Sequence, residues 1–190
     1  MSVAEIGPNR NSSSPLAGSI TGRNTAVVKI DLARPEHVAE IARLAAAVWR
    51  AHYPGIISHE QIDYMLAKMY DLDVLRREMA NCITYLRAVE HNQLLGFAAY
   101  GPAKHEIKLH KLYVDPQHQR RGIGKSLIES VERACAGRML VLTVNKRNQK
   151  AIAAYQKHGF VIRDAVVVNI GGGFVMDDYV MAKKVKAVAV

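Results

Sequence analysis

The chain has 190 residues, of which 49% are hydrophobic, and a formal net charge of +9. That length and apolar content predict one domain with a substantial core. The basic balance raises nucleic acid, a membrane surface or an anionic ligand as partners. However, the cations are scattered apart from Arg76-Arg77, Arg120-Arg121 and Lys183-Lys184, and aromatics are only 6%, so the basic and aromatic stripe of a nucleic-acid binder is absent.

Residues 1–24 are rich in Ser, Asn, Gly and Pro, and are expected to be disordered ahead of a single domain over 25–190. They lack the apolar stretch of a signal peptide, and no later run approaches the ~18 apolar residues of a membrane span. The expected compartment is the cytoplasm. A short β-like run covers 26–31. Pro35 suits a first helical turn, and Val38, Ile41, Ala42, Ala45, Val48 and Trp49 then recur at helical spacing to about His52. Ser58-His59-Glu60-Gln61 reads as a capping box, with Ile57 and Ile62 as its hydrophobic staple, opening a second helix to about Tyr70. A short third helix is predicted over 73–80.

Two strands, 83–90 and 94–100, form a hairpin across His91-Asn92-Gln93. A third strand, 107–114, ends at Asp115-Pro116. A helix then runs to about Ala136, with Ile123, Leu127, Val131 and Cys135 on one face and Glu129 paired with Arg133. The run 139–144 is continuously apolar, as in a buried strand. Asn148 is a good N-cap and Gly159 a helix-terminating glycine. The segments 160–170 and 174–183 suggest a final hairpin across Gly171-Gly172-Gly173. Neither Cys82 nor Cys135 shows metal-ligand spacing, so no metal is expected, and Cys135 reads as a buried thiol.

The chemistry concentrates where the 107–114 strand meets the following helix. The first N–H groups of a helix have no partner within it, and its dipole favours negative charge there. Gly122 and Gly124 let backbone approach a bulky anion, while Arg120, Arg121 and Lys125 add charge. The device reads as a pyrophosphate cradle. A P-loop needs glycine where Gln119 stands, and the dinucleotide fingerprint needs glycine where Leu127 stands, so neither motif applies.

What remains, Gln119-x-x-Gly122-x-Gly124 after Leu112-Tyr113-Val114-Asp115-Pro116, resembles the acetyl-CoA-binding motif of the GNAT superfamily of N-acetyltransferases. The later Asn148-x-x-Ala151-x-x-x-Tyr155-x-x-x-Gly159-Phe160 resembles that family's following motif, in the same order and separation. Trp49-Arg50-x-x-Tyr53-Pro54-Gly55-Ile56 and Met176-Asp177-Asp178-Tyr179 are similar to a bacterial subgroup of PaiA-type polyamine acetyltransferases. The resemblance implies an α/β (α+β) GNAT fold, a mixed, strongly twisted sheet with helices on both faces. The strands 107–114 and 139–144 would lie parallel and splay apart around the pantetheine arm.

The resemblance also implies roles. Leu112, Tyr113 and Val114 would offer backbone to the pantetheine and to the acetyl carbonyl, where an N–H stabilises developing oxyanion. Gln119, Arg120, Arg121, Gly122, Ile123, Gly124 and Lys125 would hold the pyrophosphate. Asn148 would contact the cofactor arm, or serve as a plain helix cap, or both. Tyr155 would give the leaving thiolate its proton, against the alternative of a core aromatic. The base is less determined: some family members place a glutamate where Thr143 stands, so His110 and Glu106 are the local candidates, each also readable as a solvated strand residue. Asp177 and Asp178 would attract a cationic amine, or are surface charges. The implied acceptor is a small-molecule or peptide amine, with no nucleic acid and no membrane. The family often dimerises, so a homodimer is one expected state. A catalytically silent acetyl-CoA sensor is the alternative, against which Tyr155 argues.

Overall fold

The structure is a computed structural model and describes residues 27–187. The segment 1–24, expected to be disordered, lies outside the described residues. Strand β1 (Lys29–Leu32) leads through a short 3-10 turn at Pro35–His37 into α1 (Val38–His52), α2 (His59–Met69) and α3 (Leu72–Ala80). Strands β2 (Thr84–Glu90), β3 (Gln93–Ala103) and β4 (Glu106–Val114) follow, then α4 (Ile123–Ala134), β5 (Met139–Asn145), α5 (Gln149–Lys157), β6 (Val161–Gly171) and β7 (Phe174–Lys184). The seven strands form one sheet in the order β1-β2-β3-β4-β5-β7-β6.

Helices cover both faces because the apolar positions of the strands alternate between them. On one face α4 and α5 pack Ile123, Leu127, Val131, Ile152 and Tyr155 on Leu109, Leu112, Val114, Leu140 and Leu142. On the other, α1, α2 and α3 pack Ile41, Trp49, Met65 and Leu75 against Tyr85, Phe97 and Tyr113. Every strand pair is antiparallel except β4 and β5. That parallel pairing holds only Ile107 opposite Leu140 and Lys108 opposite Val141. Beyond it β4 keeps β3 and β5 keeps β7. The sheet opens into the expected splay, and the β4 backbone from Leu109 to Val114 has no strand on its β5 side.

Several local expectations change. Strand β1 starts at Lys29 rather than residue 26, and Pro35 sits in its own 3-10 turn, not in α1. Ser58 caps α2 by accepting from the Gln61 N–H at 3.2 Å. The reciprocal bond, from the Ser58 N–H to the Gln61 side-chain oxygen, is not formed among the described residues, and the Gln61 amide nitrogen donates to the Val175 carbonyl at 3.0 Å, tying α2 to β7. Glu129 pairs with Lys125 at 3.8 Å rather than with Arg133, whose guanidinium donates to the Ser130 hydroxyl. The β2–β3 turn is tighter than expected. His91 and Asn92 alone make it, both left-handed (φ 49° and 62°), the twist that two-residue hairpins favour.

Candidate active site

The cradle is built from a chain reversal. Asp115 accepts the Gln117 N–H at 2.8 Å and closes a turn after β4. Arg120 (φ 63°) and Gly122 (φ 80°) are both left-handed, and Gly122 is the N-cap of α4. Alternating backbone of this kind turns successive N–H groups into one concavity. No side chain caps α4, so its first-turn N–H groups are left to a ligand. At Gly122 an added Cβ would meet nothing within 4 Å, so glycine is required there by its φ rather than by space.

Helix α4 is seated by a residue that the sequence motifs do not include. A Cβ at Gly96 on β3 would stand 2.8 Å from the Tyr113 carbonyl oxygen and 3.3 Å from side-chain carbons of Ile123 and Leu127. Glycine in the interior of a strand signals such close approach. The charges differ from expectation too. Arg121 is turned onto Glu90 at 2.7 Å, which holds that carboxyl below its usual range, so this cation is neutralised at the cradle. Arg120 remains exposed, as does Lys125 beyond its long contact with Glu129.

On the other side of the splay, α5 starts close after β5. The Asn148 side chain is buried, and its oxygen accepts the Ala151 N–H at 3.2 Å, which is the helix cap. Its amide nitrogen is buried with no partner among the described residues. Two turns further along α5, Tyr155 is 1% exposed and its hydroxyl also lacks a partner there. Phe160 packs edge-on to its ring at 5.6 Å. Burial pushes the Tyr155 phenol well above its ordinary pKa, so it keeps its proton at neutral pH.

Strand β4 contributes backbone and one bulge. Leu112 and Val114 bury their side chains under α4, while Tyr113 points into the opposite core against Phe97, 5.4 Å away. All three therefore offer the splay only main chain, and the buried Ile123 likewise. Between Ala99 and Tyr100 the register with β4 skips His110. A bulge re-aims the extra residue, and the His110 Nε2 is buried without a partner among the described residues. Burial, reinforced by Lys108 and Lys111, lowers its pKa to about 4, so it is a neutral but weak base.

Glu106 does not fit the role of base. It forms a two-pronged ion pair with Arg163 of β6, at 2.5 and 3.1 Å, and Arg163 holds its carboxyl below the usual range. It also stands at the start of β4, at the paired end of the two strands. Asp177 and Asp178 fall on opposite faces of β7, as neighbours in a strand must. Asp177 pairs with Lys146 at 2.5 Å. Asp178 is buried, which raises its pKa, and interacts with Lys108 on β4.

An open cleft of about 470 Å³ lies at the C-terminal end of β5, lined by Gly55, Ser58, Gln61, Asn145, Arg147 and Asp177 among others. Arg147 donates to the Gly55 carbonyl at 2.7 Å and so straps the β5–α5 connection to the α1–α2 loop. A second unpredicted group lies beneath. Lys111, 1% exposed on β4, contacts Glu78 of α3 and donates to the Tyr85 hydroxyl at 2.8 Å. Its only sequence signal is that it breaks the alternation of polar Glu106, Lys108 and His110 with apolar Ile107 and Leu109.

Residues 42–160 match the model of the acetyltransferase (GNAT) family. The chain belongs to the GNAT acetyltransferase family. It is an N-acetyltransferase, and acetyl-CoA is its acetyl donor. The acetyltransferase is 26% identical over 157 residues to a spermidine N(1)-acetyltransferase of Thermoplasma acidophilum, covering 78% of this chain and 93% of that one. It superposes on the crystal structure of a PaiA N-acetyltransferase from the same organism in complex with coenzyme A. The TM-score is 0.70 at 25% identity, over 83% of this chain and 99% of that one. A GCN5-related N-acetyltransferase from Rhodopseudomonas palustris has the same fold, with a TM-score of 0.71 at 21% identity, over 86% and 99%.

The residues present fit the donor. The uncapped start of α4 suits a diphosphate. Two buried polar atoms on α5 without partners among the described residues, Asn148 Nδ2 and Tyr155 Oη, suit a polar arm entering beside the helix. Among the described residues, no helix is long and apolar enough to cross a membrane.

Proposed function

We propose that this acetyltransferase acetylates a primary amine, polyamine-like or borne by a peptide, by direct attack within a ternary complex. One observation carries the reading: the Tyr155 hydroxyl and the Asn148 amide nitrogen are both buried and both lack a protein partner among the described residues. Orphaned buried polar atoms are costly, and a ligand in the splay satisfies both. Bound there, acetyl-CoA supplies an activated acetyl thioester.

The chain's own residues do the rest. Gln119 to Lys125 and the start of α4 hold the diphosphate. The Asn148 Nδ2 donates to the arm while its Oδ1 keeps α5 capped. Main-chain N–H groups of the open β4 edge, near Leu112 and Val114, stabilise negative charge on the acetyl oxygen. Tyr155 Oη, protonated at neutral pH, gives its proton to the departing sulfur. His110, neutral and released from the β3 register, takes the proton of the amine. Orientation of the two reactants supplies the remainder of the acceleration. The name of the Thermoplasma relative makes spermidine one of the amines to test.

The test is thiol release from acetyl-CoA across spermidine, spermine, amino acids and short peptides, with CoA affinity measured in the same samples. The expected result is amine-dependent turnover on one class. CoA binding without turnover on any amine would overturn the catalytic reading.

A further inference from the structure

The charges around the cleft narrow the acceptor within the function just proposed, on which this inference rests. The one carboxylate lining the cleft among the described residues, Asp177, is held by Lys146 at 2.5 Å. Of the nearby α2 carboxylates, Asp63 is reached by Arg50 at 3.3 Å, and Glu60 is exposed and does not line the cleft. Asp178 faces the other side of β7, toward Lys108.

Arg147 differs from all of these. Its guanidinium lines the cleft and donates to one neutral acceptor, the Gly55 carbonyl at 2.7 Å, with no ion pair among the described residues. Most of its donors are left for a ligand. It also directly precedes Asn148, so its charge sits at the boundary between the cofactor side and the cleft. A diamine reaching the splay through this cleft would bring its second ammonium against that cation. A carboxylate in the same place meets a planar fork that matches its two oxygens.

We infer that the acceptor is a primary amine carrying a carboxylate at its far end, an amino-acid-like or peptide-carboxylate molecule, and that Arg147 binds that carboxylate. The discriminating probes are 5-aminopentanoate and cadaverine, which share a chain and differ in the charge of one end. Wild-type kcat/KM is expected to favour 5-aminopentanoate by up to roughly five-fold, as one exposed charge-assisted fork provides, and added salt to narrow the gap. Arg147→Gln keeps an amide donor and removes the charge. The ratio should then collapse toward one, because the carboxylate probe loses its anchor and its KM rises. Arg147→Glu should invert it. Arg147 is exposed, so both variants should fold, which thermal melts would verify.

Four results would overturn the inference: a wild-type preference for cadaverine, a ratio untouched by Arg147→Gln, a KM change confined to acetyl-CoA, or turnover on other amines but on neither probe. Absence of turnover on every amine would instead overturn the functional reading beneath it.

Discussion

The Asn148 side chain spends its oxygen on the Ala151 N–H and leaves its amide nitrogen over. The helix cap and the proposed cofactor contact therefore do not compete, because they use different atoms of one group. Tyr155 poses no such choice, since nothing in the protein uses its hydroxyl among the described residues. Both residues were singled out by the family resemblance, and their seven-position spacing, close to two helical turns, adds only that they share a face. The bases were not. Glu106 and His110 lie on the same strand, and only the tertiary placement of Arg163 and the bulge separates a neutralised carboxylate from a released imidazole. His110 also makes a prediction about stability. Its pKa falls from 6.5 toward about 4 on folding. Between those values the unfolded chain binds more protons than the native one, so stability rises with pH there. The contribution is complete above pH 6.5 and is lost as the pH falls toward 4. Urea unfolding of the wild type and of His110→Gln at about pH 5 and pH 7 checks this. The variant should lose less stability on acidification, and equal losses would contradict the account.

At the scale of elements, the cradle depends on where α4 sits, and β3 decides that. Gly96 lets Ile123 and Leu127 close onto the sheet beside the Tyr113 carbonyl. Gly96→Ala places a methyl 2.8 Å from a backbone oxygen that cannot rotate away. Overpacking of this kind costs about 1–3 kcal/mol, which lowers Tm by roughly 2–4 °C per kcal/mol in a chain of this size. The same shift moves the first turn of α4, so CoA affinity should fall with the melting temperature. A variant with wild-type Tm and wild-type affinity would contradict the seating. The strand and helix order was readable from periodicity, and most element ends fall close to expectation. What periodicity could not reach were contacts between elements distant in sequence: Gly96 against α4, Lys111 against Glu78, and Gln61 against β7. In each case a local rule was right about the element and silent about its partner. At Gln61 the side chain reaches β7 and leaves the box unclosed.

In the molecule as a whole, two hydrophobic cores share one sheet, and the site lies where that sheet fails to close. The parallel pairing of β4 and β5 ends after Lys108 and Val141. From there the open edge of β4, the start of α4 and the buried face of α5 converge from one core, while the α1–α2 loop and β7 approach from the other side. The splay was expected only through family resemblance, because composition and periodicity do not say where two strands part. The net charge of +9 is divided in the same way. Arg121, Lys146 and Arg163 are held in ion pairs, whereas Arg147 is in none formed with the described residues. In the proposed mechanism the Tyr155 hydroxyl, without a partner among the described residues, faces the bound donor as an acid. The most direct measurement is Tyr155→Phe, with kcat and CoA affinity determined side by side. The account predicts a fall in kcat of about 10²-fold or more, within the range of general acid catalysis, with CoA affinity and melting temperature little changed. Unaltered turnover, or a loss confined to CoA binding, would contradict it.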